Sequence, residues 1–521
     1  MCFAGRALIW PRDIMENGVT ATTSGPPAAF STAQERVLVW LFCLLAAVHV
    51  FIFSAAVPFF NNVDEQIHFD LVVKYSQVHI PHSLEPISAE AIPYAVLYGS
   101  PEFVGIPANL PDGQFPPPLW QQPMDSVRQT LVAKTAAWNN GINHEASQPP
   151  LYYALAGAWW RLGKMLGFHD GPLLYWLRFL NIFFIGALVG LGYVAARLVF
   201  PERKFLRLGV PALLAFLPQT TFYSIQNDVL SPLCFGAAFI CLVKLLRSDV
   251  SGIRLGMLTG LALAATFLTS ISNLPLLAVS GAIVLFKIWC LAKAGKLRTS
   301  GSALAFCAGL PMIGWLALCK HTFGDFTGMA VKIQLLNWTR QPFSEWWHHP
   351  IFRPHGLWTF VSGLMATFWR GELVWHSQRL ASPVADMIYT ISSVGFIGVA
   401  VITLLSRSTA PTRPQRQALW FGFGSFIAAV AFLGFLSIIY DFHDCFYPSR
   451  EHPYFTSGRL ILGALIPFLL LYLYGLDRVL GRVKNNWIRP LVLIGMILFM
   501  QISEIIIDWR LFPNAYNWFH M

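Results

Sequence analysis

The sequence predicts an all-α polytopic membrane protein with about eleven spanning helices (range 10–13) and further interfacial helices in a large first loop. Three observations predict it. The 521 residues are 55% hydrophobic and only 12% charged, where soluble domains carry about 25% charged residues. The deficit runs along almost the whole chain, which excludes a soluble enzyme domain of ordinary size. Apolar runs near the ~20 residues needed to cross a bilayer recur from end to end. Finally, the net charge of +10 is gathered in short Lys/Arg clusters between alternate runs, the pattern of membrane topology and not of a nucleic-acid footprint.

Taken in order, residues 1–36 read as a flexible cytoplasmic leader, with Met15 an alternative start. Val37–Val57 is the first spanning run. A cleaved signal peptide is the competing reading, because Ser54-Ala55-Ala56 resembles a cleavage site, but the run exceeds the usual apolar core of about 7–15 residues. A long polar stretch, 58–171, follows as a large loop. Further runs lie near 173–196, 208–225, 229–246, 255–271, 274–292, 302–319, 384–405, 417–439, 459–476 and 490–507. Leu151–Leu162 and Gly356–Trp375 read as interfacial or re-entrant helices, the first too short to span and the second carrying Arg370 and Glu372. The spanning domain is thus 37–507, with a second outer loop at 320–383 and a short tail at 508–521.

The basic clusters test this order. With the N-terminus in the cytoplasm, Arg197–Arg207, Lys244–Arg254, Lys287–Arg298, Arg407–Arg416 and Arg478–Arg489 all fall inside, each with three or four Lys or Arg. Every second loop is basic, as the positive-inside rule requires. The loops 58–171, 320–383 and 441–458 then face outward, together with the tip at Gln226-Asn227-Asp228. The eight Cys show no metal or redox spacing and read as small buried hydrophobes.

Four constellations in those loops carry chemistry. Asn62 to Asp70 contains Asp64, Glu65 and His68, which a helix would bring to neighbouring faces. Two acids and a His there suit a general base for a hydroxyl acceptor, while helix capping explains the acids without function. His144 to Tyr153 contains Glu145, Gln148 and Tyr152 around a diproline that sets a sharp helix entry. Asn227-Asp228 is a polar tip that turn chemistry alone would explain. Arg459, in Ser457-Gly458-Arg459, and Arg370, in Phe368 to Glu372, either snorkel to the interface or bind a lipid-linked phosphate.

As an ordered set, Asp64-Glu65-x-x-His68, Gln148-Pro149-Pro150-Leu151-Tyr152-Tyr153 and Asn227-Asp228 resemble the GT-C superfamily of membrane glycosyltransferases. The chain looks closest to a bacterial branch of that clan made up of predicted membrane proteins of unknown function. Phe323 to Gly328, Thr367 to Trp375 and Ser457 to Leu460 also match that branch. Two departures stand out: Arg370-Gly371-Glu372 replaces a Gly-Arg-Phe-Gly type of sequence, and no Tyr follows Arg459. The resemblance implies a GT-C-like fold in a bacterial inner membrane. It implies transfer of a sugar from a polyprenyl-phosphate carrier to an envelope glycan, lipid or protein acceptor on the extracytoplasmic face.

On that reading Asp64 is the general base, with Glu65 or His68 positioning the acceptor. Glu145, Gln148, Tyr152, Asn227 and Asp228 support the acceptor side. Arg459 and Arg370 neutralise the departing phosphate. No resident cofactor is expected, although Asp64, Glu65 and Asp228 leave a divalent cation open. Competing readings are a lipid-linked glycan flippase or transporter, a glycan polymerase or ligase, and a non-catalytic GT-C-like scaffold.

Overall fold

The computed structural model describes residues 32–100, 115–138, 141–247, 252–293, 300–376, 378–406, 411–443, 445, 447–485 and 487–521. The leader up to residue 31 and parts of the basic loops at 244–254, 287–298, 407–416 and 478–489 lie outside these residues. Among the described residues nine helices are long and apolar enough to cross a membrane. The remaining two of the eleven expected runs form shorter helices.

The chain opens with helix α1 (Thr32–Ala56), which leads into a loop domain of four helices, α2 (Glu65–Ser76), α3 (Ala91–Tyr98), α4 (Met124–Trp138) and α5 (Leu151–Met165). Next come α6 (Asp170–Arg178) running into α7 (Leu180–Val199), then the shorter α8 (Lys204–Ala215), α9 (Ser231–Arg247), the shorter α10 (Ile253–Thr269), α11 (Leu274–Lys293) and α12 (Ser300–Phe323). A second loop region carries the short α13 (Met329–Leu335) and α14 (Phe343–Trp346), followed by α15 (Pro354–Arg370). The last spans are α16 (Pro383–Leu405), α17 (Arg413–Ile439), α18 (Leu465–Leu480) and α19 (Ile488–Asp508). The only strands among the described residues are two-residue pairs: Thr339–Arg340 with Tyr440–Asp441, and Val374–Trp375 with Gln378–Arg379, both antiparallel.

Burial follows composition. The span containing α18 is 94% buried, and α18 touches α8, α9, α16 and α17. A helix apolar on all sides can sit only in a core or in lipid. The run expected at 208–225 breaks after Ala215, because Leu217 precedes Pro218 and is disfavoured in the α region. Its remainder, Pro218 to Tyr223, is a buried polar turn. Gln219 holds that turn by donating to the carbonyls of Thr367 and Phe368 at 3.0 and 2.7 Å. α15 ends against it: Gly371 has φ 84°, and a Cβ there would lie 2.0 Å from Thr220 Oγ1, so glycine alone fits.

A fully buried ion pair anchors the first loop to the bundle. Glu65 and Arg178 are both fully buried, with Arg178 Nε and Nη2 each donating to the carboxylate at 2.8 Å. The same guanidinium donates to the carbonyls of Ser54, in the last turn of α1, and of Val57 and Pro58 just beyond it. Glu65 also accepts from the backbone N–H of Phe60 at 2.9 Å and of Ile225 at 3.0 Å. Behind α2, Lys74 bridges Asp70 at 3.0 Å and the Pro86 carbonyl at 2.7 Å. Asn143 in turn donates to Asp70 at 2.7 Å, which fixes the approach of residues 143–148. Past α19 the chain turns back, and Tyr516 donates to the Pro116 carbonyl at 2.8 Å.

Candidate functional site

The ends of α1, α5, α9, α10, α12 and α15 meet on one face of the bundle, and the polar residues there form a single cluster. At its centre Asp64 is the residue preceding α2, in the left-handed region at φ 62°, where Asp is among the few side chains tolerated. Its carboxylate does not cap the helix. Instead Arg459 Nη2 donates to Oδ2 at 2.5 Å, and His144 Nε2 lies 3.4 Å from Oδ1. Burial alone would raise the Asp64 carboxyl, but Arg459, His144 and Lys332 outweigh it and hold it well below the usual carboxylate range.

Arg459 begins the span Gly458–Leu480, so its backbone is fixed by the core while its head reaches the loop. Its Nη1 donates to the Val63 carbonyl and to Gln226 Oε1, both at 3.1 Å. Its buried Nε makes no hydrogen bond. Asp228 stands within electrostatic range of Arg459, is 2% exposed, and also has a buried oxygen, Oδ1, without a hydrogen bond. Buried polar atoms are normally satisfied, and these two make no hydrogen bond within the protein.

The second acid is Glu145. Lys332 donates to its Oε1 and Gln148 to its Oε2 at 2.7 Å, while His144 lies 3.7 Å away. Burial raises this carboxyl, Lys332 then His144 lower it further, and the balance leaves it at about 2. Lys332 reaches Glu145 because Asp325 builds the start of α13, accepting from the N–H groups of Thr327, Gly328 and Ala330 at 2.7–2.9 Å. Gly328, at φ 68°, lets that turn press against Ser147, where a Cβ would come within 2.4 Å of the serine Cβ. Asn227 joins the cluster by donating to Gln148 at 3.4 Å and to the Thr269 carbonyl at 3.0 Å.

Three expected residues have other work. Glu65 is spent on Arg178 and two backbone N–H groups, and its carboxylate, on the residue next to Asp64, points into the bundle; it is a structural anchor and not a partner of the base. Arg370 is also spent. It pairs bidentately with Asp386 at 2.7 and 3.0 Å and donates to the carbonyls of Gly371 and Leu380. That placement removes it from the phosphate role assigned with Arg459. Nearby, the exposed Arg379 lies 3.5 Å from the buried Glu372, whose other oxygen accepts from Ser457. His68 is 2% exposed, with Nδ1 2.7 Å from the Tyr153 hydroxyl. Burial pushes it down to about 4, against the pull of Glu145 and Asp64, so it is neutral. Tyr152 is buried, with its hydroxyl at the Gln226 backbone and its ring edge-on to Tyr153.

Sequence reasoning left out Lys332 and did not single out His144. The signal for His144 was its place beside Glu145. Lys332 had none, since it lies 187 residues from its partner on a helix of seven residues. The ligand atoms of Asp64, His144 and Glu145 lie within 4.8 Å of one another. Glu65 is not in this group, so the carboxylate set expected around a divalent ion differs in composition. Both acids already carry a cation, and an ion bound there would have to displace Lys332 or share the site with it against charge repulsion.

A family model described as "Predicted membrane protein (DUF2142)" matches residues 47–435. No curated protein matches the chain. Among solved structures, the chain is similar to the archaeal oligosaccharyltransferase AglB from Archaeoglobus fulgidus, solved with an inhibitory peptide and a dolichol-phosphate. That match has a TM-score of 0.38 and 12% identity, and covers 93% of this chain and 57% of that one. The chain spans little more than half of AglB's length. By the extent of the family match, the chain belongs to the DUF2142 family of predicted membrane proteins.

Proposed function

We propose that the protein transfers a sugar from a polyprenyl-phosphate carrier to a hydroxyl acceptor at the outer face of a bacterial inner membrane. The observation that carries this reading is the Asp64–Arg459 pair, an acid and a cation in contact where the first loop meets the start of the span Gly458–Leu480. The ordered GT-C-like motifs at Asp64, Gln148 and Asn227-Asp228 support it.

In the resting protein Arg459 keeps Asp64 a weak base. A carrier phosphate that engages Arg459 takes that cation for itself, and Asp64 regains basicity only when the donor is seated. The acceptor hydroxyl then attacks the anomeric carbon, and the new C–O bond forms as the bond to the phosphate oxygen breaks. The proton goes to Asp64. The carrier phosphate leaves with one more negative charge, which Arg459 neutralises in a partly dehydrated site. Gln226 and the Val63 carbonyl hold Arg459 in place, and Gln148 and Asn227 hold Glu145 against Lys332. Arg459 supplies positive charge to the leaving phosphate, while Lys332 stays with Glu145.

The test is transfer from labelled undecaprenyl-phosphate sugars by protein reconstituted with envelope lipids. Asp64→Asn should lower turnover by about 10²–10⁴, the usual worth of a positioned base. Full transfer by Asp64→Asn sinks the assignment. Transport of the intact lipid-linked sugar without transfer would favour the flippase reading.

A further inference from the structure

Beside the polar cluster lies a feature that the transfer chemistry does not use. An open groove of about 630 Å³ runs between the end of α2 and one face of α5. Its floor is the stripe Pro150, Ala154 and Ala158, spaced four apart, so small residues leave a trough along the helix. Leu162 and Met165 continue the stripe to the far end, and Tyr75, Val78 and Ile80 form the opposite wall. From Pro150 to Met165 the trough is about 22 Å long at 1.5 Å per residue, longer than the ~15 Å of one leaflet's hydrocarbon.

The groove is exposed where a water-facing surface would not be apolar. Met165 is 82% exposed and Val78 is 78% exposed. Val78 is also held at φ 62°, a conformation costly for a β-branched residue. Its single charged lining residue is Arg161. The Pro150 end of the groove lies beside the candidate site. Pro150 closes the segment that carries Glu145 and Gln148, and the Tyr75 ring packs 5.7 Å from Tyr153, the partner of His68.

We propose that this groove seats one hydrocarbon chain of an amphiphilic acceptor, a lipid whose headgroup hydroxyl is delivered to Asp64. This rests on the transferase reading and names its acceptor class. The carrier's chain is a different matter: it follows the phosphate to Arg459, which is backed by Val63 and Gln226. The groove instead begins at Pro150, next to the segment in which Gln148 holds Glu145. A soluble glycan presents no hydrocarbon to fill an apolar trough of this length.

The experiment uses the full chain in nanodiscs and a diacylglycerol bearing a photoactivatable diazirine in one acyl chain, with labelled peptides mapped by mass spectrometry. Saturable labelling of 75–80 and 150–165 is expected, competed by unlabelled diacylglycerol and not by undecaprenyl-phosphate. Ala158→Trp, which fills the trough, should lower that labelling about tenfold, equivalent to ~1.4 kcal/mol. Ala154→Leu should do so less, and both should melt like the wild type. If Ala158→Trp misfolds, Ala154→Leu carries the comparison. Labelling that grows linearly with probe, as for bulk lipid, or that ignores both substitutions, overturns the proposal. Competition by undecaprenyl-phosphate would also overturn it, by giving the groove to the carrier. Either failure leaves the transferase reading standing if carrier binding still depends on Arg459, whereas loss of that dependence brings down the reading itself.

Discussion

Replacing Glu65 by Gln removes one charge from a pair in which both side chains are fully buried, and the Arg178 guanidinium is left uncompensated. Breaking such a pair costs about 3–5 kcal/mol, so Glu65→Gln should lower the melting temperature sharply. Asp64→Asn should lower it less, because Asp64 is only half-buried and its partner Arg459 keeps Gln226 and the Val63 carbonyl. Thermal melting of the two variants side by side separates the anchor from the base; equal destabilisation would contradict this division. His68 makes a pH prediction. The unfolded chain binds a proton there below about 6.5, the folded one only near 4, so the unfolded state is favoured as pH falls through that window. Stability should be full above pH 6.5 and fall by up to ~3 kcal/mol towards pH 4. His68→Gln should flatten that slope in a melting series.

At the scale of elements, α19 shows how a helix mostly exposed to lipid is tied down. Only Met500, Ser503, Glu504 and Asp508 of its residues are buried, a stripe that is polar except for Met500. Glu504 meets His49 of α1 at 2.8 Å and accepts from Tyr223, and Ser503 meets Tyr389 of α16 at 2.9 Å. With no hydrophobic drive between helices in lipid, such contacts and close packing do the holding. Glu504→Ala should therefore lower the melting temperature, while Ile502→Ala, on the exposed face, should leave it near wild type. If both variants melt alike, the polar stripe does not hold the helix. The same logic applies to α2 and α5, where hydrogen bonds through Asp70, Asn143 and Glu145 fix the loop that carries half the site.

For the whole molecule, hydropathy made the spans legible, because crossing lipid demands apolar length whatever the tertiary contacts. The break at Pro218 was less so, since Phe216 to Tyr223 reads as apolar while its backbone turns polar against α15. In the site, Asp64, Glu145, Gln148, Asn227, Asp228 and Arg459 were legible as residue types at loop positions, and the structure brings them together. What spacing could not show was direction: Glu65 turns inward to Arg178, Arg370 turns to Asp386, and Lys332 arrives from a distant loop. Those choices depend on which partner of opposite charge is nearest, a property of packing alone.

The central claim is that Arg459 exchanges Asp64 for a carrier phosphate. It is tested most directly by the affinity of undecaprenyl-phosphate for the protein in nanodiscs, measured for wild type, Arg459→Ala, Asp64→Asn and the double variant. The account predicts saturable binding to wild type, loss in Arg459→Ala, and binding at least as tight in Asp64→Asn, where the cation no longer has a competitor. The double variant should match Arg459→Ala. Binding that survives Arg459→Ala, or that fails in a folded Asp64→Asn, would contradict the account.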